Sequence, residues 1–149
     1  VYGERCGALS AVCASQAEAD LVLGQLRYTV RRIYSSPGLH AASLVAHVLG
    51  DADLRSMWEG ELAQMRQRML EVRQALHTRL CALAPQHDWG YVLSQRGMFS
   101  YTGLSAAQVD RLREQYAVYL VRSGRICVAG LNGSNVERTA QAMAEVLAG

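Results

Sequence analysis

Three arginines stand where a guanidinium could do chemistry instead of coating a surface. Arg5 lies in "GERCG" at the front of a strand-like stretch, and Arg31 closes a helical run beside Arg32, just ahead of "YSSP". Arg125 follows the Ser123-Gly124 turn and opens the apolar run Ile126-Cys127-Val128-Ala129. A charge at the lip of an apolar run is costly unless its planar fork of donors has a carboxylate or phosphate to hold. Each of the three lies at an element boundary, where a side chain can point into a cleft. One arginine for a phosphate and two for carboxylates would make a site for an anionic cofactor together with a dicarboxylate or an amino acid. The competing reading is a surface arginine with a solvated head, and Arg32, Arg66 and Arg111 are read that way.

Other chemistries find little support. His40 and His47 are seven residues apart and share a helix face, but no third ligand is near in sequence, so no metal site is expected. No Gly-x-Ser-x-Gly nucleophile elbow and no glycine-rich phosphate loop is present. All fifteen basic residues are arginine, so nothing in this chain can form a lysine Schiff base. The net charge is +2 and the arginines alternate with acids, which does not suit a nucleic-acid partner. Cys6, Cys13, Cys81 and Cys127 are widely spread, which argues against a zinc site or a disulfide scaffold and points to a reducing, cytoplasmic setting. Cys13 and Cys127 lie in apolar segments and are expected to be small buried hydrophobes. No apolar run approaches the roughly 20 residues that span a bilayer, and no signal peptide is evident. A start at Val1, running straight into patterned sequence, suggests a piece of something longer.

The elements that must position these residues follow from pattern. "CGALSAVC" (6–13) reads as a short buried strand. Ser15 with Glu18 makes a capping box that opens a helix through about Val30. Ser36 before Pro37 predicts a second helix start and Gly50 its stop. From 51 to 84 a single apolar stripe recurs every three or four residues, from Leu54 and Trp58 through Met65 and Met69 to Leu80 and Leu83. It predicts one long spine, with Arg66, Arg68, Arg73 and Arg79 on a solvated face, and its methionines are core instead of a cofactor box. "WGYVLS" and "GMFSYTGL" read as strands joined by a Gln95-Arg96-Gly97 hairpin turn. Ser105 with Gln108 caps a helix over "AAQVDRLREQY", "AVYLVRSG" and "RICVAGL" read as two more strands, and Ser134 with Glu137 caps a last helix. The order β-β-α-β-β-α predicts a small sheet with helices on one face.

At this point the residues resemble a known family. "VYGERCG" looks like the tail of the class-I aminotransferase signature, whose lysine lies eight residues before an arginine followed by a small residue and Gly. "RRIYSSPG", "QRGMFSYTGLSAAQVDRLREQYAVYLVRSGRICVAGLN" and "SNVERTAQAM" resemble bacterial aromatic-amino-acid (tyrosine) aminotransferases of the aspartate-aminotransferase subgroup. The similarity runs the length of the chain, and Cys127 with "GLN" tilts it toward the aromatic branch. It implies an α/β, fold type I enzyme that depends on pyridoxal 5′-phosphate. On that pattern 1–50 is the end of the large domain, 51–84 a bridging helix and 85–149 the small C-terminal domain.

The resemblance also implies roles. Arg5 would bind the cofactor phosphate, and Arg125 would grip the substrate α-carboxylate. Arg31 would reach into the partner subunit's site of a homodimer to pair with a dicarboxylate side chain, and would swing aside for Tyr or Phe. Tyr34 and Ser35 would stand beside it at the interface, and Phe99 would pack near the substrate. Substrates would be amino acids and 2-oxo acids, with no nucleic acid and no membrane. Cys6 replaces the usual aliphatic residue, Ile33 stands where Asn is common, and Gly38 replaces the second proline of the usual "SPP". The last two changes loosen the loop that carries Arg31. The cofactor lysine is expected four residues before Val1, so the 149 residues are expected to be a C-terminal segment, inactive alone. An aspartate aminotransferase segment and a non-catalytic dimerising or binding module stay open as alternatives.

Overall fold

The structure, a computed structural model, describes residues 3–4 and 6–148. The chain divides after Glu59 into two units, Val1–Glu59 and Gly60–Gly149.

The first unit holds α1 (Gln16–Ile33), α2 (His40–Gly50) and the opening turns of α3 (Ala52–Leu83). Local hydrogen bonds account for where these helices start and stop. The Ser15 hydroxyl accepts the Glu18 N–H (3.2 Å), while the Glu18 carboxylate accepts from Ala14 (2.7 Å) instead of closing the box on Ser15. The Asp51 carboxylate opens α3 by accepting the N–H groups of Asp53 and Leu54, each at 3.0 Å. The expected start at Ser36 is not used. Its N–H is spent on the Tyr34 carbonyl (2.8 Å) in the turn leaving α1, and α2 begins at His40 without a side-chain cap. The expected strand over 6–13 is also absent: the stretch has no described strand to pair with, and Leu9 and Val12 are exposed. An extended segment without a partner gains neither ladder hydrogen bonds nor a face to bury. Cys13 is accordingly half-buried instead of fully buried.

The second unit carries the rest of α3, then α4 (Tyr91–Ser94), β1 (Phe99–Tyr101), α5 (Ala106–Tyr116), β2 (Arg125–Cys127), a 3₁₀ turn (Val128–Gly130) and α6 (Val136–Ala148). Leu80, Val92, Val109, Leu112, Val128 and Met143 are fully enclosed, each worth about 1.5–3 kcal/mol of apolar transfer. In α6 the buried positions Val136, Thr139, Ala140 and Met143 keep the helical spacing that faces one side onto this core. At the head of α5 the predicted capping box is complete, with Ser105 and Gln108 satisfying each other's backbone N–H.

Only two of the four expected strands form, and they pair antiparallel as one ribbon. "WGYVLS" becomes the short helix α4. Asp88 accepts the Gly90 N–H (2.8 Å), and the buried Trp89 ring is anchored by its indole N–H to the Ala84 carbonyl (2.9 Å), which starts a helical turn where a strand was expected. Gln95-Arg96-Gly97 is therefore a helix-to-strand connection, not a hairpin turn. Ala117, in the left-handed region at φ 52°, ends α5, and the following stretch contributes only a single bridge, Val121 to Arg125. Ser134 does not act as the expected cap partner of Glu137; its hydroxyl bonds the Asn132 side chain (2.6 Å) within an asparagine-held turn. No described helix is long and apolar enough to cross a membrane.

Candidate functional site

Arg125 is presented by the ribbon. β1 and β2 align Phe99 with Cys127, Ser100 with Ile126 and Tyr101 with Arg125. Ser100 and Ile126 point inward and are buried, so the period of two turns Phe99, Tyr101, Arg125 and Cys127 to the exposed face. Cys127 is thus exposed, not buried as expected, because it shares the face of Arg125. On that face the guanidinium carbon of Arg125 lies over the Phe99 ring, 4.7 Å from its centre. The ring's electron-rich face attracts the cation and favours that position.

The turn before Arg125 is built for close approach. Gly124 donates to the Val121 carbonyl (2.8 Å), and its own carbonyl accepts from both the N–H (2.9 Å) and the hydroxyl (2.8 Å) of Thr102. Its φ is +84°, and a Cβ there would stand 3.0 Å from the Leu104 carbonyl oxygen, so the position calls for glycine. The two arginines flanking this turn have different fates. Arg122 is held bidentate by Asp110 (3.1 and 2.8 Å), whereas among the described residues the Arg125 guanidinium has no ion-pair or hydrogen-bond partner.

Arg31 lies in the first unit, at the exposed end of α1, and donates to the Ser35 hydroxyl (3.0 Å). Ser35 sits at φ 67°, a conformation that costs a non-glycine residue on the order of 1 kcal/mol. Tyr34 and Ser35 close the helix by donating together to the Val30 carbonyl, each at 3.1 Å. Arg32 turns the other way, over the ring of Tyr28 (5.6 Å). Arg5 lies outside the described residues. Its neighbours Glu4 and Cys6 line a cavity of about 560 Å³ with Tyr34, Pro37 and His40. Arg31, Tyr34 and Ser35 are thus together in one unit, and Arg125 and Phe99 in the other.

The sequence reading missed Arg73. Expected on a solvated face, it is 3% exposed and donates four hydrogen bonds: to the carbonyls of Val92 (2.8 Å), Gly97 (2.7 Å) and Phe99 (3.0 Å) and to the hydroxyl of the buried Ser100 (2.7 Å). Its neighbours on α3 are not free either. Arg68 donates to the Leu131 carbonyl (2.8 Å), and Arg79 pairs with Glu137. Burial, and then the positive charge of Arg96, lower the Arg73 pKa from its ordinary value. The signal was in the spacing, since Arg73 follows Met69 by four and precedes Leu76 by three, which places it on the apolar stripe. The apolar groove beside it, about 550 Å³ and lined by Met65, Met69, Arg73 and Met98 among others, includes neither Phe99 nor Arg125.

The chain is similar to known proteins over nearly its whole length. A family model for aminotransferases of class I and II fits residues 1–143. The aromatic-amino-acid aminotransferase of Escherichia coli K12 is 55% identical over 147 residues, covering 99% of this chain and 37% of that protein. Among solved structures, the aromatic-amino-acid aminotransferase of Burkholderia pseudomallei, covalently bound to pyridoxal phosphate, superposes with a TM-score of 0.84 at 48% identity, over 99% of this chain and 37% of that one. The psychrophilic aromatic amino acids aminotransferase of Psychrobacter sp. B6, cocrystallised with aspartic acid, gives 0.85 at 46% identity with the same coverage. The chain spans 37% of the length of each of these relatives.

Proposed function

The chain belongs to the class I and II aminotransferases, with the fold of a fold type I segment, and from that premise we propose that it is part of a pyridoxal-phosphate enzyme moving an amino group between aromatic or dicarboxylic amino acids and 2-oxoglutarate. The observation that carries this reading is Arg125. It is a guanidinium over the Phe99 ring, on a turn locked by Gly124, and left without an acid among the described residues while Arg122 beside it has one. Such a group offers two parallel N–H donors to a carboxylate and costs little to order.

The remaining roles follow the family pattern. Arg125 takes the α-carboxylate, with Phe99 beneath it near the substrate. Arg31 reaches into the site of the partner subunit of a homodimer and pairs with a dicarboxylate side chain, Ser35 holding its head and Tyr34 closing the helix behind it. Exposed Ile33, Tyr34 and Leu39 around Arg31 support a surface that is covered in the assembled protein. Arg5 holds the cofactor phosphate. The donor set fits pyridoxal 5′-phosphate in part: its guanidinium groups suit a phosphate and carboxylates, but the lysine that anchors the cofactor is not among these 149 residues. When bound, the cofactor supplies the electron sink for loss of the substrate α-proton. In this reading residues 1–50 end the large domain, 51–84 bridge, 85–149 form the small domain, and the protein is cytoplasmic.

The test is amino transfer from tyrosine and from aspartate to 2-oxoglutarate by the complete protein. Turnover of both supports the reading. Turnover of aspartate alone makes it an aspartate aminotransferase, and no turnover of either with cofactor bound refutes it.

A further inference from the structure

We propose that Arg73 is a positioning residue for carboxylate recognition, fixing the free edge of β1 so that Phe99 stays beneath Arg125; the inference rests on the reading of Arg125 given above. A two-stranded ribbon is marginal by itself, and its outer edges leave backbone groups without partners. Here the inter-strand bonds run from Val128 N–H to the Met98 carbonyl and from Thr102 N–H to the Gly124 carbonyl. Antiparallel alternation therefore turns the carbonyls of Gly97, Phe99 and Tyr101 away from β2. Side chains stand where a third strand would be. Arg73 donates to Gly97 and Phe99, and the Gln95 amide exchanges two hydrogen bonds with the Tyr101 backbone (2.8 and 3.1 Å).

A role in packing alone does not account for this choice. The surrounding stripe of α3 is Met69, Val72, Leu76 and Leu80, and an apolar side chain at 73 would fill the space without burying a charge. Arg73 is buried with no carboxylate partner among the described residues, so its charge is carried by neutral acceptors only. What the charge achieves is direction. One rigid fork reads α4 through Val92, the lead into β1 through Gly97, and β1 itself through Phe99 and Ser100. Five residues earlier on the same helix, Arg68 holds the Leu131 carbonyl just past β2. Because the start of β1 lies beside the end of β2, both strands are referred to one helix at the same end of the ribbon, and Phe99 cannot move along its strand without breaking bonds to Arg73.

The experiment compares binding of 3-phenylpropanoate and of 3-phenylpropanol to the complete protein and to its R73K, S100A and R125A variants by calorimetry, alongside melting curves. The inference expects R73K to weaken the carboxylate on the order of tenfold, as a small displacement of an oriented contact does, with the alcohol within about twofold. S100A removes one of the four acceptors and is expected to show a smaller loss with the same selectivity, so it decides the matter if R73K does not fold. Equal losses for acid and alcohol, or no loss, reduce Arg73 to a structural role and overturn the inference. Weakening in R125A without it in R73K and S100A overturns the inference alone. If R125A leaves the carboxylate unaffected, the assignment of Arg125 fails, and the inference fails with it.

Discussion

The two units have similar apolar content and use it differently. In the second, α3, α5 and α6 bring Leu80, Leu112 and Met143 out of solvent completely. Among the described residues of the first, only Ala41 is buried, while Leu9, Leu21, Ile33, Leu39 and Trp58 are exposed. Side-chain caps begin helices in both units, Ser15 and Asp51 in one and Ser105 in the other. Helix ends are set by hydrogen bonds spanning three or four residues, whereas burial needs a second surface. The described residues of the first unit supply the former and little of the latter, and that is where the Arg31 cluster lies.

The sharpest way to break this comparison is a pair of core truncations. Leu80→Ala should destabilise the second unit by about 2–5 kcal/mol, as a buried leucine truncation does, while Leu44→Ala in the 149-residue chain should change stability by less than about 0.5 kcal/mol. In the complete protein the Leu44→Ala cost should rise, as read by chemical denaturation. An equal cost in both settings would show that the first unit buries its apolar face unaided.

The next effects fall on the arginines. Arg125→Ala should lower kcat/KM for every amino donor by the equivalent of about 2–4 kcal/mol, the loss of a charged bidentate contact in a closed site. Arg31→Leu should harm aspartate far more than tyrosine. Steady-state kinetics with both donors separates the two roles, and equal losses for Arg31→Leu would remove it from side-chain recognition.

A smaller effect, on presentation of Arg125, is expected at Gly124. Gly124→Ala meets the Leu104 carbonyl at 3.0 Å with φ at +84°, and should cost about 2 kcal/mol of second-unit stability. A melting temperature unchanged from wild type would mean that the turn relaxes freely.

The smallest concerns Tyr91, whose hydroxyl is buried without a partner among the described residues and whose pKa burial pushes up to about 12. Because the native state keeps its proton longer than the unfolded chain, this contribution is fully present below about pH 10 and is lost as pH rises through 12. The loss should be about 1–2 kcal/mol, after allowance for partial exposure. Tyr91→Phe should remove that alkaline slope in denaturation curves without destabilising the protein at neutral pH. A slope that persists in Tyr91→Phe would assign it to another group.

The sequence by itself determined the long helices and some of their ends, Ser15 before α1 and Ser105 before α5 among them, but not the start of α2. α3 matches the expected 51–84 spine to within a residue or so, because its apolar stripe repeats over many turns, and the Ser105–Gln108 box was readable because it joins residues three apart. It also carried the family resemblance, in motifs around Arg5, Arg31 and Arg125. What only the tertiary structure decided was which neighbour each side chain meets. "WGYVLS" has a strand's composition, but Asp88 and the Trp89 anchor turn it into a helix. Arg73 and Arg79 were both expected on the solvated face, yet one is enclosed by four acceptors and the other pairs with Glu137 at the surface. Arg122 and Arg125 flank one turn, and only the distant Asp110 distinguishes them. Caps and periods are interactions of residues three or four apart and are legible in order along the chain. Burial, register and the partner of a charge join residues tens of positions apart, and they exist only once the chain has closed on itself.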